Sequence, residues 1–155
     1  MIKVPALQVR QTQNRTLYAF SVEGKRLFDI ATVARVRRND ESKLQGYQRP
    51  RVLKHIEEIK NYIDSDDPML PNALVVAFDS SVKFVPAEHQ TNDASTAFGT
   101  LEIPVSGEGD GATRPGWLVD GQQRASALHA AQREGFQVCV TAFITDNVDE
   151  QRSQF

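Results

Sequence analysis

A chain of 155 residues with 40% hydrophobic and 25% charged residues has the balance of a globular domain large enough to bury a sizeable core. A net charge of −2 argues against a uniformly basic nucleic-acid binder, and no apolar run approaches the roughly 18 residues a membrane-spanning helix needs. The opening residues MIKVPALQVRQ lack the apolar stretch of a signal peptide, and the single Cys139 excludes an internal disulfide. The expectation is a cytoplasmic protein with no membrane partner. His55, His89 and His129 are scattered and no CxxC or HExxH occurs, so no protein-bound metal is expected.

The charge is unevenly spread. Residues 1–62 hold 13 Lys/Arg and 6 Asp/Glu, a balance of +7, while residues 63–155 carry −9. Such asymmetry fits a basic face that meets phosphates. It fits equally two halves that fold together and interleave their charges.

In chain order, residues 3–9 and 16–22 read as a β-hairpin around the polar loop Gln11-Thr12-Gln13-Asn14-Arg15. "FDIATVARVRRND" reads as a short helix capped by Asp29, with Ile30, Val33 and Ala34 on one face. Arg35, Arg37 and Arg38 fall at its end, where they complement the helix dipole or face DNA. "YQRPRVLKHIEEIKNYIDSDD" is the strongest helix signal. Pro50 suits the first turn, and Val52, Leu53, Ile56, Ile59, Tyr62 and Ile63 recur at helical spacing. Lys54, Glu57, Glu58, Lys60 and Asn61 make its outer face, and Asp66-Asp67-Pro68 ends it.

"NALVVAF" and "VKFVP" read as strands around Asp79-Ser80-Ser81. Residues 86–99 have no periodicity and read as a loop or weak helix. "TLEIPV" is a strand, "SGEGDGATRPG" a glycine-rich surface loop, and Trp117-Leu118-Val119 a short buried strand. A helix is expected over Gln122 to Glu134, ended by Gly135, and then the strand "FQVCVTAFI". Trp117, Phe143 and Leu128 are core candidates, and His129 is a surface or packing residue. The order of elements predicts an α+β fold, a mixed sheet of short strands with flanking helices.

One corner carries the chemistry. In "GWLVDGQQRASALHAAQREG" an apolar strand meets a helix through Asp120-Gly121-Gln122-Gln123-Arg124. Gly121 permits a positive-φ turn, and Asp120 is placed to cap the helix. The first turn of a helix offers free N–H groups and a partial positive charge that favour an anion. Arg124 can grip a phosphate bidentately, and the Gln122 and Gln123 amides can donate to one. The competing reading is structural: Arg124 pairs with Asp120 at i, i+4 and closes the helix start. Elsewhere, "GEGDG" at 107–111 lacks the P-loop pattern. Asp64, Asp66 and Asp67 read as a polar helix end rather than a Mg²⁺ site. Ser95, Thr96 and Cys139 have no visible base partner.

"LVDGQQRASAL" resembles the signature of the DGQHR-domain family, the DndB-like proteins associated with bacterial DNA phosphorothioation. "GYQRPRVLKHIEEIKNYI" followed by "MLPNALVVAF", and the closing "DEQRSQF", are similar to that family's pattern, so the likeness runs from about residue 15 onward. It implies a single DGQHR-type domain over residues 1–155, the N-terminal part of a longer protein. More distantly the layout resembles the ParB/sulfiredoxin-like fold. That likeness implies a nucleotide cleft between Gln48-Arg49 and Gly121-Gln122-Gln123-Arg124. The family motif has His where this chain has Gln123, which cannot titrate.

The resemblance implies a DNA-binding regulator of DNA sulfur modification that acts in transcription control, with duplex DNA and other phosphorothioation-system proteins as partners. Arg35, Arg37, Arg38, Lys54 and Lys60 are the candidate DNA contacts. No cofactor is required. The alternative is a nucleoside-triphosphatase or DNA-nicking enzyme of a phosphorothioate-linked restriction-modification system. It would take a nucleoside triphosphate with Mg²⁺, with Asp120 and Arg124 as catalytic residues. A bland third reading is a protein-interaction module whose corner is only a capped helix.

Overall fold

A computed structural model describes residues 1–33, 49–91, 93–107 and 113–147. Eight strands form one sheet: β1 (Ile2–Thr12), β2 (Arg15–Glu23), β3 (Ala31–Val33), β4 (Leu74–Phe78), β5 (Lys83–Pro86), β6 (Thr96–Ile103), β7 (Gly116–Asp120) and β8 (Gln137–Ile144). Their spatial order is β3-β7-β4-β8-β2-β1-β6-β5. The β3–β7 and β4–β8 pairs are parallel and the other pairs antiparallel. Three α-helices complete the described fold: α1 (Leu27–Ile30), α2 (Arg49–Ile63) and α3 (Gln122–Ala130). The expected α+β class with a mixed sheet is what the chain adopts.

The core lies on one face of the sheet. Alternate residues supply it, as a half-buried strand requires: Leu74, Val76 and Phe78 of β4, Val138, Val140 and Ala142 of β8, and Tyr18 and Phe20 of β2. Phe20 stacks on Phe78 with ring centres 6.3 Å apart. Leu27, Ile30, Ala125, Leu128 and Ile63 close the same cluster from the helices. Leu128 is fully packed, as its sequence position implies. Trp117 and Phe143, expected in the core, instead occupy half-buried positions. In the β7–β4–β8 register both align with Ala77, in the alternate positions to the buried Val76 and Leu118.

Several local expectations change. The first hairpin is longer than the apolar runs suggest, and its strands leave only Gln13-Asn14 between them. The helix expected from Phe28 onward is the four-residue α1 followed by strand β3, because the exposed edge of β7 recruits Ala31, Thr32 and Val33. Asp29 therefore sits inside α1 rather than capping it, and pairs with Arg26 at 3.5 Å. Val33 is exposed, and Ala34 lies outside the described residues. β6 begins at Thr96, inside the stretch read as a loop. α3 stops at Ala130, short of Glu134, and Ala131 is extended.

α2 packs chiefly against α3. Ile63 is fully buried and Ile56 and Ile59 are partly so, whereas Leu53 and Tyr62 are exposed despite their apolar-face spacing. The two helices are tied at their C-terminal ends. Arg133 donates from Nε to the Ile63 carbonyl at 2.8 Å and from Nη2 to Ser65 at 2.6 Å, satisfying carbonyls that a helix end leaves open. Asp64 accepts the backbone N–H groups of Gln132 and Arg133, each at 3.0 Å, with Lys60 at 3.7 Å. This is why α3 ends early: the residues after Ala130 bind the end of α2 instead of continuing the helix.

The Gln132 backbone N–H is the main influence holding the Asp64 carboxyl below its ordinary pKa, helped by Arg133 and Lys60 and opposed by partial desolvation. A carboxylate with a depressed folded pKa adds stability that is complete above its unfolded value and lost as pH falls through the folded one. The wild type should therefore lose part of its stability below about pH 4. Asp64→Asn should lower the urea midpoint at pH 7 and narrow its difference from wild type at pH 3. A constant gap between the two proteins from pH 7 to pH 3 would show that this tie does not titrate.

Candidate functional site

The β7–α3 corner is built by one glycine. Gly121 precedes the helix with φ 97°, the left-handed region that L side chains resist. A Cβ there would lie 3.0 Å from Leu74 Cγ and 3.2 Å from the Arg124 guanidinium. Gly121 is itself the N-cap, and no side chain caps α3. The expectation that Asp120 caps the helix is therefore corrected: Asp120 ends β7, and its exposed carboxylate faces Arg124 at 3.7 Å. The first N–H groups of α3 gain no side-chain acceptor, and the opening ladder bond runs from Ala125 to the Gly121 carbonyl at 2.8 Å.

The three polar residues that follow have different tasks. Gln122 folds back, and its amide nitrogen donates to the carbonyls of Val119 at 3.1 Å and Leu118 at 3.3 Å. Arg124 reaches across to the segment before β4. Its Nη1 donates to the Asn72 carbonyl at 2.6 Å, and its Nη2 to that of Ala73 at 3.4 Å. Its side chain is only 21% exposed, and the pairing with Asp120 is the longest of its contacts. The guanidinium thus works first as a strut between α3 and β4. Among the described residues Gln123 alone of the three makes no side-chain hydrogen bond, and it lines the cleft above the corner.

That cleft has a volume of about 550 Å³, within the size range of small-molecule sites. Residues 120–124 form one wall. The other is α2, which presents His55, Glu58, Ile59 and Tyr62, and Leu70 closes one side. His55 and Gln123 also line an adjoining pocket of about 260 Å³ with Arg51 and Val52, which extends the groove toward the start of α2. Arg49 opens α2 at that end; Gln48 lies outside the described residues. The His55 Nδ1 lies 3.6 Å from Glu58. Tyr62 faces the cleft while its hydroxyl accepts the Met69 N–H at 2.8 Å and donates to the Met69 carbonyl at 3.1 Å, fixing the turn after α2.

Asp120, Gly121, Gln122, Gln123 and Arg124 all line this cleft, and the Arg49 side chain lies outside the described residues. Of the candidate DNA contacts, Arg35, Arg37 and Arg38 lie outside the described residues. Lys54 is exposed on α2, and Lys60 is engaged with Asp64. His129 is exposed and meets Phe28 edge-on, with ring centres 5.5 Å apart, a packing role. His55, Glu58 and Leu70 are site residues that the motif does not reveal. Their signal was available for α2: positions 55, 58, 59 and 62 share one helical face. No group of three His, Cys, Asp or Glu able to hold a metal occurs among the described residues. No described helix is long and apolar enough to cross a membrane.

This division of labour has measurable consequences. Arg124→Ala should destabilise the protein by about 2 kcal/mol, because charge-assisted bonds to two carbonyls are lost. Gly121→Ala should cost about 1–3 kcal/mol in backbone strain. Gln123→Ala should stay within about 0.5 kcal/mol of wild type. Thermal or urea unfolding of the three variants gives the comparison. Equal effects at 123 and 124 would contradict the assignment of Arg124 as the strut.

A family model described as "DndB: DNA-sulfur modification-associated" matches residues 4–155. No match was found among curated proteins or among solved structures. The chain belongs to the DndB family, which is associated with DNA sulfur modification.

Proposed function

From membership of the DndB family, we propose that this protein is a DNA-binding regulator of bacterial DNA phosphorothioation, with a phosphate or nucleotide site in the cleft between α2 and the β7–α3 corner. The cleft is the observation that carries this reading. It places the helix start, which no side chain caps, and the Gln123 amide beside a groove of ligand size. An anion seated there meets backbone N–H groups, the helix dipole and one amide donor. Arg124, bonded to the carbonyls of Asn72 and Ala73, holds the corner in shape. Phosphate contacts to duplex DNA come from the basic N-terminal part of the chain, with Arg35, Arg37, Arg38 and the exposed Lys54 as the contacts; Lys60 would have to exchange its Asp64 partner for a phosphate to join them. Other phosphorothioation-system proteins are its partners. The Gln48-Arg49 pair where α2 begins and the Gly121-Gln122-Gln123-Arg124 turn where α3 begins are the sequence basis for likening the fold to the ParB/sulfiredoxin type.

The enzymatic reading gains one observation. The family motif carries His where this chain has Gln123, and His55 of α2 lines the same cleft and the same adjoining pocket as Gln123. An imidazole on α2 puts a ring nitrogen beside the corner that can take a proton from water. On this reading His55 would take a proton from a water that attacks the terminal phosphorus of a nucleoside triphosphate, the bond to the bridging oxygen breaking so that the nucleoside diphosphate leaves; Mg²⁺, entering with the nucleotide, would supply charge neutralisation. Asp120 orients that water or the metal.

A titration of wild type and Gln123→Ala with ATP, GTP and CTP, and with duplex DNA at low and high salt, tests both. The regulator reading expects DNA affinity to fall steeply with salt. It also expects any nucleotide affinity to weaken in Gln123→Ala while DNA affinity holds. Salt-insensitive DNA binding would overturn the phosphate-contact account. Magnesium-dependent phosphate release that disappears in His55→Gln and Asp120→Ala would establish the enzyme instead.

A further inference from the structure

We propose that the tip of the β1–β2 hairpin is a DNA-reading ribbon that enters the major groove. The inference deepens the DNA-binding reading above and rests on it. The flanking strands stop short of the tip. β6 accompanies β1 only from Ile2 to Val9, with one further bond from the Arg10 N–H to the Ser95 carbonyl at 2.9 Å. β8 accompanies β2 only from Tyr18 onward. Beyond the Arg10–Ser95 bond β1 and β2 pair only with each other; the last two pairs are Arg10↔Thr16 and Thr12↔Arg15. The ribbon therefore projects past the last flanked pair, Val9↔Leu17, by two paired rows and the Gln13-Asn14 turn, roughly 7–10 Å at the usual rise. The major groove is about 8.5 Å deep and about 12 Å wide and admits a two-stranded ribbon.

The side chains on this projection suit the groove. Arg10, Gln11, Thr12, Gln13, Asn14 and Arg15 are all exposed. Arginine pairs with guanine O6 and N7, glutamine and asparagine pair with adenine N6 and N7, and threonine offers a methyl to thymine. The run holds no carboxylate, and the first acidic residue of the chain is Glu23, at the far end of β2. Among the described residues neither Arg10 nor Arg15 has an ion-pair partner. Asp93, in the turn beside the ribbon's base, directs its Oδ1 to the Ser95 N–H at 2.8 Å. A register shift between Arg10 and Thr12 makes Gln11 an extra residue, a bulge of the kind that adds twist and re-aims side chains. Neither the hydrophobic core nor the α2–α3 cleft uses any of these six side chains.

The experiment selects preferred duplexes from a randomised pool with the full chain, and then compares affinities at low and high salt. The variants are Arg10→Ala/Arg15→Ala and Gln13→Ala/Asn14→Ala, with Arg35→Ala/Arg37→Ala/Arg38→Ala as a contrast. All tip positions are exposed, so unchanged thermal melting is expected. The ribbon account expects the arginine pair to lose about tenfold or more on the preferred duplex. It expects the amide pair to change which bases are preferred. The contrast variant should weaken all duplexes alike. If wild type selects a motif and both tip variants select the same motif with the same affinity, the ribbon proposal is overturned and the DNA-binding reading stands. If wild type binds no duplex at either salt, both fall. Equal losses on duplex RNA, whose deep narrow groove excludes a ribbon, would replace base reading with general phosphate attraction and overturn the proposal.

Discussion

Gly121 turns the chain at φ 97°, where almost any other residue would be strained, and that turn decides what the surrounding elements can do. It sends α3 back along the sheet so that Ala125, Ala127 and Leu128 are buried together. It brings the guanidinium of Arg124 within reach of the carbonyls of Asn72 and Ala73, which locks the helix start to the strand β4. With the helix start fixed there, α2 meets α3 along a seam that closes at one end and opens at the other. At the closed end Asp64, just after α2, holds the backbone of the segment that follows α3, and Arg133 of that segment bonds the last carbonyl of α2. At the open end the corner and α2 stand apart and leave the cleft.

The signature Asp-Gly-Gln-Gln-Arg is therefore one unit with divided duties. Gly121 makes the bend, and Gln122 satisfies carbonyls of the strand it leaves. Arg124 braces the bend from the far side, with Asp120 as a weak exposed partner of the kind that adds little stability. All five line the cleft, but among the described residues only the Gln123 side chain does so without bonding back to the fold or pairing within the motif.

Much of this was legible in the sequence because it is local. Short apolar-rich runs mark β1, β2, β4, β7 and β8, and the 3.6-residue period marks α2. The strand–glycine–helix pattern places the corner. What was not legible depends on distant partners. Ala31, Thr32 and Val33 join the sheet only because β7 offers an open parallel edge, so a helical spacing in that stretch misleads. Residues 131–134 leave the helix because Asp64, far earlier in the chain, holds their N–H groups. β4 and β5 are neighbours in sequence yet lie far apart in the sheet, an order no local pattern encodes. Asp120 has the composition of a cap, but the cap position falls on the glycine beside it. His55 is visible as a residue, while its role as a wall of the cleft requires knowing which face of α2 meets α3.

The central claim is that the start of α3, braced by Arg124 and facing α2, receives an anion. Backbone amide NMR during titration with inorganic phosphate, then with a nucleoside triphosphate, tests it most directly. The account predicts saturable shifts concentrated at Gln122, Gln123 and Arg124 and across the cleft at His55, with the end of α3 unmoved. Shifts confined to other parts of the chain, or none at the corner at saturating ligand, would contradict it and leave the corner a structural joint alone.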